Sequence, residues 1–494
     1  MHHYLLGIDV GTTGTKTLLF RSDGELMGHA YRPYEMKTPH VGWSEQNPID
    51  WWNAVVETVR EVCSDPQIAQ AVKGISLSVQ GGTMAAVDKN FQPVRPAMVW
   101  NDSRCTEEMQ AYLHEVGDAD SMYRKTGWHI FSGMNAMQIR WMKDHEPELF
   151  EKTAMFLSVP DYISYKMTGI PAIDLSDIGI NQLGNIAQGG YDKEILDFCG
   201  ITEDKLPKIL RSGELIGHLT KEAAEELGLT TNAVLSAGAH DQYAVALGAG
   251  ACKAGDILIG SGTCWVITCI GDKADFDSDL SQSVAAVPGK WGSLWSLSSG
   301  GVCLEWLRRN VALGTDDTQI DYDTLNREAA QRDAAKDCLF FFPFSGRSTL
   351  QKGFQKATFI GLDLAHDRFH MARAVMEGVA FQIVWMLERF RTKPSEAGLI
   401  LAGGASKSPL WCQLVADIAN LPVRIPAVAD LGCVGAAIMA GVGSGIYSDV
   451  EDGYKKLAVG ERVLYPNPEN AKRYAKYFEE YKRIAQSLGD AYKL

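Results

Sequence analysis

The 494-residue sequence has no run of about 18 apolar residues, the length a helix needs to cross a bilayer. It also has no basic N-terminal stretch followed by an apolar segment, so no secretory signal is expected and the reading is a cytoplasmic protein. An excess of positive charge is missing too. With 47 Lys and Arg against 61 Asp and Glu the formal charge is −14. That argues against nucleic acid or an acidic membrane held by general electrostatics, while a small anion held by backbone amides stays open. No Cys-x-x-Cys pair occurs among the ten cysteines, which are scattered from Cys63 to Cys433. Such thiols read as reduced and mostly buried, not as a disulfide framework or a zinc site. His2-His3 reads as a chain end. The P-loop spacing is absent as well, because Lys16 follows Thr15 and not the second glycine of G-x-x-x-x-G-K.

What is present begins at Leu5. An apolar run ends in Asp9, then Gly11-Thr12-Thr13-Gly14-Thr15-Lys16 forms a small hydroxyl turn, and a second apolar run follows through Leu18 to Phe20. Glycines let backbone approach a ligand, and amides with threonine hydroxyls can surround phosphate oxygens. Asp9 sits where a strand would deliver it beside those phosphates, which suits Mg²⁺ carried by a nucleotide. A plain Gly/Thr hairpin would look the same. Near Gly255 the design recurs: a strand from Asp256 to Ile259, the turn Gly260-Ser261-Gly262-Thr263, and a return strand from Trp265. The length favours two large domains, expected at 1–247 and 248–494, each opening with strand, turn and strand.

Between these points the 3.6-residue spacing of Trp52, Val55, Val56, Val59 and Val62 predicts a helix over Pro48–Val62. Val72–Val79 reads as a strand ending in Gln80-Gly81-Gly82-Thr83. Helices are expected near Glu305–Leu313 and His370–Phe390, and a strand over Leu399–Leu401 precedes Gly403-Gly404-Ala405-Ser406. The C-terminal amphipathic helix reads as core packing. Val234–Gln242 places Asp241 just after a strand, before a helix of small residues. There it either caps the helix or accepts a proton from a substrate hydroxyl, and the residues alone leave both open. His240 reads as a core or cleft-wall histidine.

These pieces, in this order, resemble the FGGY carbohydrate kinases over the whole length. Ala357-Thr358-Phe359-Ile360-Gly361-Leu362, followed after seven residues by His370 to Glu377, matches the family's second signature completely. Trp43 to Pro48, Trp100 to Arg104, Asp161-Tyr162-Ile163 and Gly403 to Ser406 are also family-like. The resemblance implies an α/β fold of two ribonuclease H-like (actin/hexokinase-type) domains around a central cleft. It implies ATP and Mg²⁺, with Asp9 holding the metal and Thr12, Thr13 and Lys16 near the phosphates. Gly262 and Thr263 would meet the phosphates from the second domain, and Gly403, Gly404 and Ala405 would line the adenosine pocket. Asp241 matches the catalytic base, and Gln242 follows it as in glycerol kinases. Relatives are commonly homodimers.

The departures concern substrate. Xylulokinases read Q-M-H-G where this chain has Gln80-Gly81-Gly82-Thr83, and the Arg and Glu of glycerol kinases are absent. Two glycines leave either more room or contacts through backbone. Gln138 stands where the first signature has Lys, and a G-E-R-T-P loop is reduced to Ser345-Gly346-Arg347-Ser348-Thr349. Trp43 to Gln46 and Trp100 to Asp102 lean toward xylulokinases, so a pentulose such as xylulose is expected. Glycerol, erythritol, fuculose or rhamnulose, and gluconate are the alternatives. Gln80, Gly81, Gly82, Asp102, Trp128, Asp241 and Gln242 are the expected substrate contacts, with His129 nearby. An actin-like ATPase or an inactive sugar sensor is the reading from a different class.

Overall fold

The computed structural model describes residues 2–312, 319–344, 356–457 and 460–491. The shortened loop Ser345 to Thr349 lies outside the described residues. Contacts group the chain into two compact units. One comprises Met1–Cys252, Gly271–Ser293 and Asp430–Val459; the other comprises Lys253–Ile270, Leu294–Ala429 and Gly460–Leu494.

In the first unit the strand Tyr4–Val10 lies antiparallel to Gly14–Arg21 and parallel to Val72–Val79. Val72–Val79 is parallel to Val234–Ser236, which pairs antiparallel with Leu215–His218. Leu5, Leu6, Ile8 and Val10 are all fully buried. A strand without polar alternation is one covered on both faces. One cover is the helix Pro48–Val62, with Asn47 capping it and Trp51, Trp52, Val55 and Val59 buried beneath it. The other is Leu431–Gly443, which lies directly on the strand backbones. A Cβ at Gly7 would stand 1.8 Å from the Cys433 carbonyl, and one at Gly74 would stand 2.4 Å from that of Ala440.

The second unit repeats the pairing order. Ile257–Ser261 is antiparallel to Trp265–Gly271 and parallel to Leu399–Gly403. Leu399–Gly403 is parallel to Val423–Pro426, which pairs antiparallel with Glu461–Leu464. The duplicated strand–turn–strand therefore occupies the same place in each sheet. The helix expected near Glu305 spans Gly301–Asn310; Gly300, just before it, admits Trp265, since a Cβ there would stand 2.0 Å from its ring, and a Cβ at Gly301 would stand 2.5 Å from the Gly262 carbonyl. The long helix spans Arg368–Leu387, with Asp367 accepting from the amides of Phe369 and His370.

Candidate active site

In the first unit the turn after Asp9 is held from several sides. Gly11 N–H donates to the Gly14 carbonyl at 3.1 Å, while Tyr34 and the Gln80 amide both donate to the Gly11 carbonyl. Trp100 Nε1 donates to Thr12 Oγ1 at 3.1 Å, and Thr13 stays exposed. Asp9 Oδ1 accepts from Ser78 Oγ at 2.7 Å. Burial pushes the Asp9 carboxyl up to about 6, with the charge of Asp241 adding to the rise and Ser78 opposing it. Lys16 reaches Asp430 Oδ1 at 2.8 Å, so its ammonium is paired at the rim of the turn.

Gln80 is buried, and its amide binds Gly11 and Gln46, which places it as a brace between the end of its strand and the opening turn. Asp102 is deeper still. Both oxygens are taken, by Ser44 N at 2.7 Å and by Arg104, whose guanidinium lies 3.6 Å from the centre of the Trp43 ring. Its side chain is 0% exposed. A carboxylate so occupied orients the Trp100 loop rather than meeting a ligand directly. Gln138 is buried too and donates to the carbonyls of Gly133 and Val99 on the flanks of that loop.

Asp241 is the first residue of the helix Asp241–Gly248, and His240 takes the N-cap position without a side-chain cap bond. The capping reading therefore lapses. The Asp241 side chain is 36% exposed, and its polar neighbour is His240 Nδ1, 3.6 Å from Oδ1. Gln242 follows it, half-buried.

Gly81 and Gly82 do not leave open room. A Cβ at Gly81 would stand 2.5 Å from His240 Cδ2 and 3.0 Å from Asp177 Oδ1, and one at Gly82 would stand 3.2 Å from Trp100 Cβ. The His240 ring lies near Trp128 and Tyr243, with centroids 5.8 and 5.7 Å away. The neighbouring His129 stacks instead on Tyr123 and faces Asp279. Behind Gly81, Asp174 accepts from Ser176 N, and Ser176 Oγ accepts from His240 N at 2.9 Å. Among the described residues no donor reaches either oxygen of Asp177 or Oδ2 of Asp174. Burial pushes both carboxyls up, Asp177 well above the usual range with the charge of Asp174 adding to it.

In the second unit, Ser261, Gly262, Thr263, Gly404 and Ala405 line one cavity of about 630 Å³, a size suited to a nucleotide-scale ligand. Ser261 Oγ donates to the Ala402 carbonyl at 2.6 Å and accepts from Ala405 N at 3.0 Å, joining the two turns. Gly403 precedes them at φ +94°, where a Cβ would stand 2.7 Å from the Ser261 carbonyl. Tyr322, Asn326, Glu305, Lys407 and Trp411 complete the cavity.

Sequence reasoning missed Ser78, Asp174, Asp177 and the cavity's Tyr322 and Asn326. The signal for the last two is weak, a Gly300-Gly301 pair opening a helix beside the second turn. Asp174-Leu175-Ser176-Asp177 resembles an ordinary helix start and gives no sign of its partner at Gly81.

Residues 4–248 match the N-terminal domain of the FGGY family of carbohydrate kinases, and residues 257–444 match its C-terminal domain. Xylulose kinase of Bacillus subtilis (strain 168) is 30% identical over 489 residues, covering 97% of this chain and 96% of that protein. L-xylulose/3-keto-L-gulonate kinase of Escherichia coli (strain K12) is 28% identical, covering 99% and 98%. The crystal structure of xylulose kinase from Rhodospirillum rubrum superposes with a TM-score of 0.89 at 26% identity, covering all of both chains.

Proposed function

Since the chain belongs to the FGGY family of carbohydrate kinases, we propose that it transfers the γ-phosphoryl of ATP to a hydroxyl of a pentulose such as xylulose. The class, an ATP-dependent sugar kinase, follows from the family, and the pentulose from relatives that act on xylulose. The observation that supports the chemistry is Asp241, a carboxylate about a third exposed at a strand's end that does not cap its helix and, among the described residues, meets no cation within 3.5 Å. It accepts the proton of the attacking hydroxyl. Phosphoryl transfer passes through a loose transition state in which that proton leaves late, so a carboxylate of ordinary strength suffices.

Asp9 would hold Mg²⁺. A hard oxygen ligand suits that ion, and a carboxyl that burial holds near 6 gains from a cation beside it. The ion, when bound with the nucleotide, neutralises phosphate charge. Thr12, Thr13 and Lys16 line the phosphates on the first unit; Gly262, Thr263, Gly403, Gly404 and Ala405 receive the nucleotide on the second. Gln242 orients the sugar, and Trp128 with Gly81 and Gly82 walls its site. No described helix is long and apolar enough to cross a membrane, and the acidic net charge opposes nucleic acid held by general electrostatics. The homodimer common among relatives is the assembly to look for by light scattering.

The test is ADP formation with D- and L-pentuloses, hexuloses, glycerol, erythritol and gluconate. Saturable turnover that depends on a pentulose is expected. Sugar-independent ATP hydrolysis would instead indicate an actin-like ATPase, and sugar binding without phosphorylation a sensor.

A further inference from the structure

Trp100 has no part in the transfer described above, yet it is joined to the turn after Asp9 by two separate routes. The residue is 41% exposed, and its indole Nε1 donates to Thr12 Oγ1 at 3.1 Å. Its backbone reaches the same threonine through the interior. Trp100 N donates to Thr83 Oγ1, and Thr83 Oγ1 donates to Gln80 Oε1, both at 3.3 Å. Gln80 Nε2 donates to Gln46 Oε1 at 3.1 Å, and Gln46 Nε2 donates to the Thr12 carbonyl. Gln46, Gln80 and Thr83 are all buried. The hydrogen bonds thus leave Thr12 at its hydroxyl and return to it at its carbonyl.

One group outside this ring fixes the direction of the interior route. The Trp51 indole can only donate, and it donates to Gln46 Oε1 at 3.1 Å. Gln46 must then turn its amide N–H to the Thr12 carbonyl, and Gln80 its amide N–H to Gln46 and the Gly11 carbonyl. Gln80 Oε1 is left to accept from Thr83, and a Thr83 lone pair is left for Trp100 N. The Trp100 indole likewise can only donate. It occupies a lone pair of Thr12 Oγ1 and leaves the proton of that hydroxyl uncommitted.

We propose that Trp100 is a positioning residue for the phosphate turn, holding the Thr12 hydroxyl as a donor to a phosphate oxygen of the nucleotide. The inference rests on the ATP-dependent reading and adds to it a residue that touches no phosphate itself. An ionised phosphate oxygen only accepts, so it matches a proton and is repelled by a lone pair. A hydroxyl whose lone pair is already held has fewer orientations to lose when that oxygen arrives.

The test is a double-mutant cycle on the full chain, with binding of Mg·ATP and of adenosine read by calorimetry. Thr12→Val removes the donor and should weaken ATP by about tenfold. Trp100→Phe keeps an aromatic ring and loses the indole N–H; it should weaken ATP by about threefold or more. Added to Thr12→Val, it should cost less than about twofold further, because no hydroxyl remains to be held. Adenosine, which lacks phosphate, should bind every variant alike. In the sugar assay Trp100→Phe should lower kcat and leave KM for the sugar within about twofold. Additive losses, unchanged ATP affinity in Trp100→Phe, adenosine weakened as much as ATP, or a rise in sugar KM alone overturns the inference. The binding arms need no turnover. Failure to phosphorylate any sugar tried therefore removes the sugar-kinase reading, while the ATP and adenosine affinities still decide the role of Trp100.

Discussion

Asp241 and Asp161 are both carboxylates near helix starts, and the structure gives them different surroundings. Asp161 is fully buried and closes a capping box, accepting from Ser158 N at 2.7 Å. Burial pushes it up to about 7, with Asp174 adding to the rise. The unfolded chain releases this proton near pH 4, whereas the folded chain holds it until about 7, so ionising it costs stability as pH rises across that interval. The full cost is on the order of 4 kcal/mol and is an upper bound. Asp161→Asn cannot ionise and keeps an acceptor for Ser158. Its Tm should exceed that of the unaltered protein at pH 8 and not at pH 4, read at one scan rate; equal Tm differences at both values would refute the linkage. Asp241→Asn should behave differently. It should lower phosphoryl transfer by about 10²–10⁴-fold with ATP affinity little changed, as measured by coupled assay and calorimetry. Near-normal activity would remove Asp241 as the base. The sequence could not tell the two carboxylates apart, because a cap and the proposed base share one residue type; the structure shows one buried in a capping box and the other partly exposed.

Among elements, the helix Leu431–Gly443 matters most to the site. It crosses Asp241–Gly248 at glycine: a Cβ at Gly435 would stand 2.0 Å from the Ala244 carbonyl, and one at Gly248 would stand 2.0 Å from that of Leu431. Neither carbonyl is a flexible tip that can turn away. Gly435→Ala must therefore separate the helices, costing about 1–3 kcal/mol or more. Because Asp241 opens one of them, kcat should fall along with Tm; a Tm loss with kcat intact would mean that Asp241 is held from elsewhere. The second signature, by contrast, is scaffold. Arg373 and Glu377 form a buried pair at 2.7 Å, Tyr474 donates to Glu377 Oε1, and Ala335 N donates to Oε2. The most family-specific stretch of the sequence thus reports the fold rather than the chemistry. The helices and strands themselves were legible wherever apolar spacing ran unbroken, as in Pro48–Val62 and Val72–Val79. The Gly301 start was not, because the glycines there add nothing to the apolar spacing.

At the scale of the whole molecule, the contact units are not contiguous in sequence. Asp430–Val459 belongs with the first unit, where its helix covers the strands Tyr4–Val10 and Val72–Val79. A chain ending at Cys252 lacks that cover and leaves one face of a doubly buried sheet in water. It should show no cooperative thermal transition by calorimetry, and a sharp native-like transition would mean that the first 252 residues carry a sufficient core. The repeated pairing order of the two sheets was foreshadowed by the two Gly/Thr turns, since such a turn needs a strand on either side. The return of residues 430–459 was not, because nothing local distinguishes a helix that packs on its own half from one that does not.

The sequence alone determined the elements, the duplicated turns, the family and the acid that opens Asp241–Gly248. All of these are written in residue type and local spacing, and the backbone obeys such signals over short distances. Tertiary structure decided what fills the space at Gly81-Gly82. Two missing side chains read as room or bare backbone, and the fold instead brings His240, Asp177 and Trp100 from separate segments to pack there. A glycine records what is absent at its own position. Only long-range packing sets what takes its place.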